Sequence, residues 1–211
     1  MKKETIEESL IVFTRYPEAG KTKTRMIPAL GAEGAAQLQR QMTEHTLREV
    51  KKLQSDRPLS VEVHFTGSSE QLMKDWLGSD LVYRHQSEGH LGVRMRSAFE
   101  SSFNAGMIRA IVIGIDCPDL NPSLMGEAYE AIALDFDLVL GPAADGGYYL
   151  IGLSRLVPEL FVGINWGTSE VLAQTKAIAE KLGLKVHYLS ALNDVDRPED
   201  LEIWQRYQKN I

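Results

Sequence analysis

One cysteine, Cys117, is all the thiol chemistry in the chain, so no internal disulfide can form and a reducing cytoplasm is the expected setting. Long apolar runs are missing too. None approaches the roughly 18 residues of a membrane helix. The opening MKKETIEESL carries basic residues but lacks the apolar centre of a signal peptide, so it reads as a short polar tail over residues 1–8. Histidine is scarce and scattered, without metal-ligand spacing, and is read as structural. Cations are in deficit: 23 Lys and Arg against 29 Asp and Glu give a net charge of −6, which argues against non-specific nucleic-acid binding. Repeats, low-complexity tracts and linkers are also lacking, so residues 1–211 are expected to form a single domain. Oligomeric state stays open. The 44% hydrophobic and 25% charged content suits a globular domain with a full core.

What is present alternates. Leu10–Phe13, Leu59–Phe65, Leu81–Gln86, Ala110–Ile113, Phe136–Leu140, Tyr148–Leu153 and Lys185–Leu189 read as strands. Apolar positions at helical spacing lie between them over Glu33–Leu53, from Leu91 to Phe103 and from Val171 to Leu182, while Ser68 with Gln71 resembles a capping box that opens a helix running to Leu77. Asn121 with Pro122 opens another helix, and Asp196 with Glu199 is expected to cap the closing one. Strands alternating with helices predict an α/β three-layer sandwich around a mostly parallel sheet.

The stretch AIVIGIDCPDL, from Ala110 to Leu120, organises this pattern: a doubly buried strand ends in two acids, Asp116 and Asp119. Ligands of open α/β sheets sit outside the carboxyl ends of such strands. Asp116 is therefore expected to hold Mg²⁺ or Mn²⁺, ions that favour carboxylate and phosphate oxygens. Asp119 is read as a turn-former, and Cys117 as a small inert thiol. After the first strand, TRYPEAGKTKTRM concentrates Arg15, Lys21, Lys23 and Arg25 around Gly20, where cations and backbone N–H groups can meet a polyphosphate. It is not a P-loop, since Arg15 occupies the place of the required first glycine. In QSEGHLGVRM, Gly89 and Gly92 precede a helix with Arg94 and Arg96 in its first turns, where the helix dipole disfavours cations and an anion would resolve the conflict. In GPAADGGYYLIGL, Asp145 with Gly146 and Gly147 either receives an acceptor hydroxyl or forms a plain Asp-Gly turn.

As an ordered set, FTRYPEAGKTKTRM, QSEGHLGVRM, IGIDCPDL, GPAADGGYYLIGL, WGTSEVL and DVDRPEDL resemble the nucleotide-diphospho-sugar transferase superfamily, with its GT-A fold. More narrowly, they resemble a bacterial family of A-type glycosyltransferases assigned by similarity, related to molybdenum-cofactor and phospholactate guanylyltransferases. The resemblance implies nucleotide and phosphate binding by Arg15, Gly20, Lys21, Lys23 and Arg25. It implies a metal on Asp116, and a second metal aspartate at Asp196. It also implies an acceptor side formed by Asp145, Gly146, Gly147, Tyr148 and Trp166. Gly89, Gly92 and Arg94 are added to the phosphate side from their own spacing. His90 and Arg197 depart from the family pattern, which more often shows aspartate and threonine there.

The expected activity is metal-dependent transfer of a sugar from a nucleoside diphosphate sugar to a small-molecule acceptor, with Asp116, Asp145 and Lys23 as the catalytic candidates. The alternative is nucleotidyl transfer, of the guanylyl or cytidylyl type, to a phosphorylated small molecule with release of pyrophosphate. A catalytically silent nucleotide-binding module is a third possibility.

Overall fold

The structure is a computed structural model and describes residues 6–208. One seven-stranded sheet is formed by β1 (Glu8–Arg15), β2 (Ser60–Thr66), β3 (Val82–His85), β4 (Arg109–Ile113), β5 (Leu138–Pro142), β6 (Tyr148–Leu153) and β7 (Val186–Tyr188). Their spatial order is β3-β2-β1-β4-β6-β5-β7. All neighbouring pairs are parallel except those made by β6, which runs against β4 and β5. Successive side chains of a strand point to opposite faces, and both faces here are buried. Leu10 and Val12 of β1, with Ile111 and Ile113 of β4, join one core cluster. Ile11 and Phe13, with Ala110 and Val112, join the other.

Helices α1 (Ile27–Asp56), α2 (Glu70–Leu77), α4 (Pro122–Ala133) and α6 (Leu201–Gln208) contribute to the first cluster. Helices α3 (Leu91–Asn104) and α5 (Val171–Lys181) contribute to the second. The three-layer α/β architecture read from the sequence is the observed one. Among the described residues no helix is long and apolar enough to cross a membrane.

Several boundaries differ from the sequence reading. Helix α1 begins at Ile27, ahead of the expected Glu33, because Pro28 fits a first helical turn. Gly31, at φ 69°, then kinks it before the regular apolar stripe starts. The cap of α2 is Ser69, whose hydroxyl accepts from Leu72 N–H, and not Ser68. The polar-tail reading of residues 1–8 fails at Glu8, which opens β1. Its buried carboxylate is held by Arg57 and by Arg109 at 3.1 Å, and that pairing raises the Arg57 guanidinium further. Residues 1–5 lie outside the described residues. Asn121 does cap α4, accepting from Leu124 N–H at 3.1 Å.

Candidate active site

The sheet changes direction between its central strands. From β1 the chain steps outward through β2 to β3, then returns to place β4 on the other side of β1. This is the topological switch point, where the loops at the carboxyl ends diverge and leave a crevice. Residues Tyr16–Met26 lie on one side of it, and Gly114–Leu120 on the other. The start of β6 and the ends of β5 and β7 lie at the same edge, bringing residues 143–147 and 189–196 alongside.

Two buried residues anchor the first loop. Thr22 and Met26 are buried, and the Thr22 hydroxyl donates to the Glu18 carbonyl. Between them Lys23 adopts a left-handed backbone (φ 44°, ψ 44°), unusual for a residue other than glycine and costing about 1 kcal/mol or more. This conformation turns the lysine inward. Its side chain is 4% exposed, and Nζ donates to Asp116 Oδ1 at 2.6 Å and to the Val195 carbonyl at 2.5 Å. Val195 N–H in turn donates to the Asp116 carbonyl at 2.8 Å. Three segments distant in sequence are thereby joined at the end of β4.

The other cations are placed differently. Arg15 points out from the end of β1 across Gly67. Exposed Lys21 pairs with Glu18, three residues earlier, and Arg25 pairs with Asp196. Arg94 donates to the Gly89 carbonyl at 2.8 Å, so its guanidinium closes its own loop, with Gly89 at φ 107°. The expected cap at Asp196 and Glu199 is formed instead by Asp200, whose carboxylate accepts from the N–H groups of Asp196 and Arg197. Asp119 is more than a turn residue: its carboxylate accepts the Tyr207 hydroxyl. Cys117 is buried, and burial pushes its thiol well up, as expected for an inert residue.

Across the crevice, Asp145 Oδ1 accepts from Gly147 N–H at 2.8 Å, giving the Asp-Gly turn. Gly146 stands at φ 88°, and a Cβ there would lie 2.3 Å from the Ser169 carbonyl oxygen. Leu172 N–H also donates to the Gly146 carbonyl at 2.9 Å, which ties the 143–147 loop to the start of α5. Trp166 stacks on His90 with ring centres 6.2 Å apart and fills the space above Gly92, where a Cβ would sit 2.5 Å from the indole. Tyr148 and Trp166 each pack against the second core cluster.

The residue that sequence reasoning passed over is Asp194. Its carboxyl titrates above the usual range, first because it is partly desolvated and then because Asp145, Asp200 and Asp116 lie near enough to repel its charge. The signal was present in NDVDRPED, two acids one residue apart. The family resemblance points to Asp196, yet Asp196 is the one taken by Arg25. Asp116, Asp145 and Asp194 offer the hard carboxylate oxygens that suit Mg²⁺ or Mn²⁺. Among the described residues no group of three or more His, Cys, Asp or Glu side chains is placed to hold a metal ion.

Over residues 46–168 the chain matches the family described as "Uncharacterized protein conserved in bacteria (DUF2064)". It belongs to that family. Among solved structures, one provisionally named a nucleotide-diphospho-sugar transferase, from Desulfovibrio desulfuricans G20, is 32% identical. That match spans 98% of this chain and 89% of the other, with a TM-score of 0.89. A 4-diphosphocytidyl-2C-methyl-D-erythritol synthase from Anaerococcus prevotii shares the fold at 11% identity and TM-score 0.64, over 97% and 96% of the two chains. Rv0371c of Mycobacterium tuberculosis H37Rv, solved with manganese, shares it at 12% identity and TM-score 0.54, over 97% and 100%. No curated protein matches the chain. The fold is that of the nucleotide-diphospho-sugar transferases, shared with nucleotidyltransferases.

Proposed function

We propose that this protein is a transferase that binds a nucleoside diphosphate sugar across the β1/β4 switch point and passes the sugar to a small-molecule acceptor. The observation that carries the reading is the junction of Lys23 with Asp116 and the Val195 carbonyl. A buried ammonium on the carboxylate that ends the central strand, beside a loop rich in cations, makes a preorganised site for a diphosphate.

In this reading Arg15, Lys21 and Arg25 draw the diphosphate to the loop, and Gly20, at φ 78°, lets the backbone approach it. Lys23 fixes Asp116 and holds positive charge where the leaving group becomes more negative. Asp116 is the first ligand for a divalent cation. Asp194, already within electrostatic reach of Asp116, is better placed to join it than Asp196, which must first release Arg25. A bound cation supplies charge neutralisation on the departing diphosphate. Asp145 orients the acceptor hydroxyl or takes its proton, and Trp166 forms a wall of the acceptor side.

The test uses purified protein with GDP, UDP, their sugar conjugates and nucleoside triphosphates, each with Mg²⁺ or Mn²⁺. Thermal shift reads binding, and product analysis reads turnover. Stabilisation by a nucleotide sugar with release of nucleoside diphosphate is expected, whereas pyrophosphate release would replace this reading with nucleotidyl transfer. Asp116→Asn should weaken metal-dependent nucleotide binding at least tenfold. An Asp116→Asn protein that binds nucleotide and metal as the parent does would overturn the assignment.

A further inference from the structure

Two carboxylates at the crevice are each paired with a cation of the first loop, Asp116 with Lys23 and Asp196 with Arg25. The pairs differ in setting. Arg25 is 61% exposed, where water screens the interaction and leaves it weak. Lys23 is 4% exposed, and its Nζ holds Asp116 Oδ1 at 2.6 Å and the Val195 carbonyl at 2.5 Å. Burying an ammonium is costly unless it is paired and hydrogen-bonded, so these two partners are what keep Lys23 inside. Its left-handed backbone, at φ 44°, is of the kind that persists only where the surrounding structure enforces it.

Asp116 suits a divalent cation, being a hard oxygen donor that is half exposed and within reach of an incoming ligand. The ammonium of Lys23 nevertheless sits on one of its two oxygens. A second positive group on this carboxylate would lie within a few ångströms of Lys23, where shielding from water makes the repulsion strong. An ammonium carries three N–H donors, and among the described residues Lys23 commits two. The third is open to a phosphate oxygen. A diphosphate can therefore engage Lys23 before Asp116 releases it, and then draw the ammonium off the carboxylate. The exchange leaves no charge alone: Lys23 moves from Asp116 to the diphosphate, and Asp116 turns from Lys23 to the cation that the diphosphate carries. Exposed Lys21 makes only its local pair with Glu18 and is left to attract the diphosphate.

We infer that Lys23 is a tethered counter-cation that keeps divalent metal off Asp116 until a nucleotide diphosphate takes over its ammonium, so that metal and nucleotide bind as a unit. This rests on the reading of Asp116 as a metal ligand and adds the regulation of that site. The effect is reciprocal by linkage: the factor by which nucleotide raises metal affinity is the factor by which metal raises nucleotide affinity.

The probe is Mn²⁺, titrated by electron paramagnetic resonance against the purified protein, first alone and then with GDP or UDP, with the Mn²⁺–nucleotide complex in solution subtracted. Without nucleotide, Lys23→Met should bind Mn²⁺ at least ~10-fold more tightly than the parent, since the stem stays and the competing charge is gone. Lys23→Gln should show the same gain, and thermal unfolding checks that each variant is folded. Adding Asp116→Asn to Lys23→Met should remove the gain. Arg25→Gln, which frees exposed Asp196, should change Mn²⁺ affinity by less than ~3-fold. If the parent does not bind nucleotide even with Mn²⁺ present, the donor-site reading fails and this inference with it. If the parent binds the two together but neither Lys23 variant gains affinity for Mn²⁺ alone, only this inference fails. It fails as well if the gain survives Asp116→Asn, or if Arg25→Gln produces an equal gain. A parent protein that binds Mn²⁺ as tightly without nucleotide as with it refutes the inference with no variant needed.

Discussion

Replacing Lys23 by alanine tests the central junction directly. The side chain is almost wholly enclosed, so truncation removes its packed stem along with its charge. Three buried methylenes are worth about 2.4 kcal/mol at roughly 0.8 kcal/mol each. The ammonium bond to the buried-side Val195 carbonyl adds about 1.5 kcal/mol. The pair with Asp116 adds less, because that carboxylate is about half exposed and well screened. Against these stand the release of ammonium desolvation and of the strained left-handed backbone, about 1–2 kcal/mol together. A net loss of about 3 kcal/mol remains, or roughly 6–12 °C in Tm for a chain of this size. Thermal unfolding at constant ionic strength measures it. A cycle with Asp116→Asn isolates the ion pair, whose coupling should be about 0.5–1 kcal/mol. Lys23→Met, which keeps the stem without the charge, should recover about half of the stability but not the affinity for GDP or UDP. If Lys23→Ala unfolds within 1 °C of the parent and binds nucleoside diphosphates unchanged, the junction neither holds the site together nor serves a diphosphate.

Two further perturbations follow from single contacts. Asp194→Asn should stabilise the protein at pH 7. Its folded pKa is raised, so the ionised carboxylate is a burden above that pKa, and the burden fades as pH falls toward the unfolded value near ~3.9. Urea unfolding at pH 7 and at pH 4 should therefore show a gain for the variant that shrinks in acid; an equal or larger gain at pH 4 would contradict the assigned cause. Gly92→Ala should cost about 1–3 kcal/mol, because the new Cβ would enter the Trp166 indole and the backbone of α3 cannot retreat from a buried position. It should also change the near-ultraviolet circular dichroism of Trp166 as the ring leaves His90, and an unaltered spectrum with unaltered stability would show that the ring has room to move.

The sheet was legible in the sequence because its strands are buried on both faces. Runs such as LIVF and AIVI have little else to become when helices must cover them on either side. The direction of β6 was not legible, since an antiparallel partner and a parallel one both present continuous apolar residues. Cap positions slipped by one residue where two serines stand together, at Ser68 and Ser69, and where three acids follow Arg197 and its neighbours closely. Among the candidate residues, Asp116 and Lys23 were read from their place after strands, and the structure brings them to 2.6 Å. Arg94 looked like a phosphate ligand because a cation at a helix start is unfavourable. That conflict is relieved locally, by the Gly89 carbonyl.

Asp194 shows what linear sequence conceals. Its neighbours in the fold are Asp116 and Asp145, contributed by loops that follow β4 and β5, and no spacing rule links positions 116, 145 and 194. Their convergence depends on two hydrogen bonds to backbone: Lys23 to the Val195 carbonyl, and Val195 N–H to the Asp116 carbonyl. Both are made by Val195, the residue next to Asp194, and hold this segment against the end of β4. Lys23 thus does two jobs with one ammonium group, compensating Asp116 and fastening the segment that delivers Asp194. A cation on Asp116 and a diphosphate beside it would share the space that the ammonium now holds, so donor binding and the setting of the acceptor-side carboxylates are coupled through this one lysine.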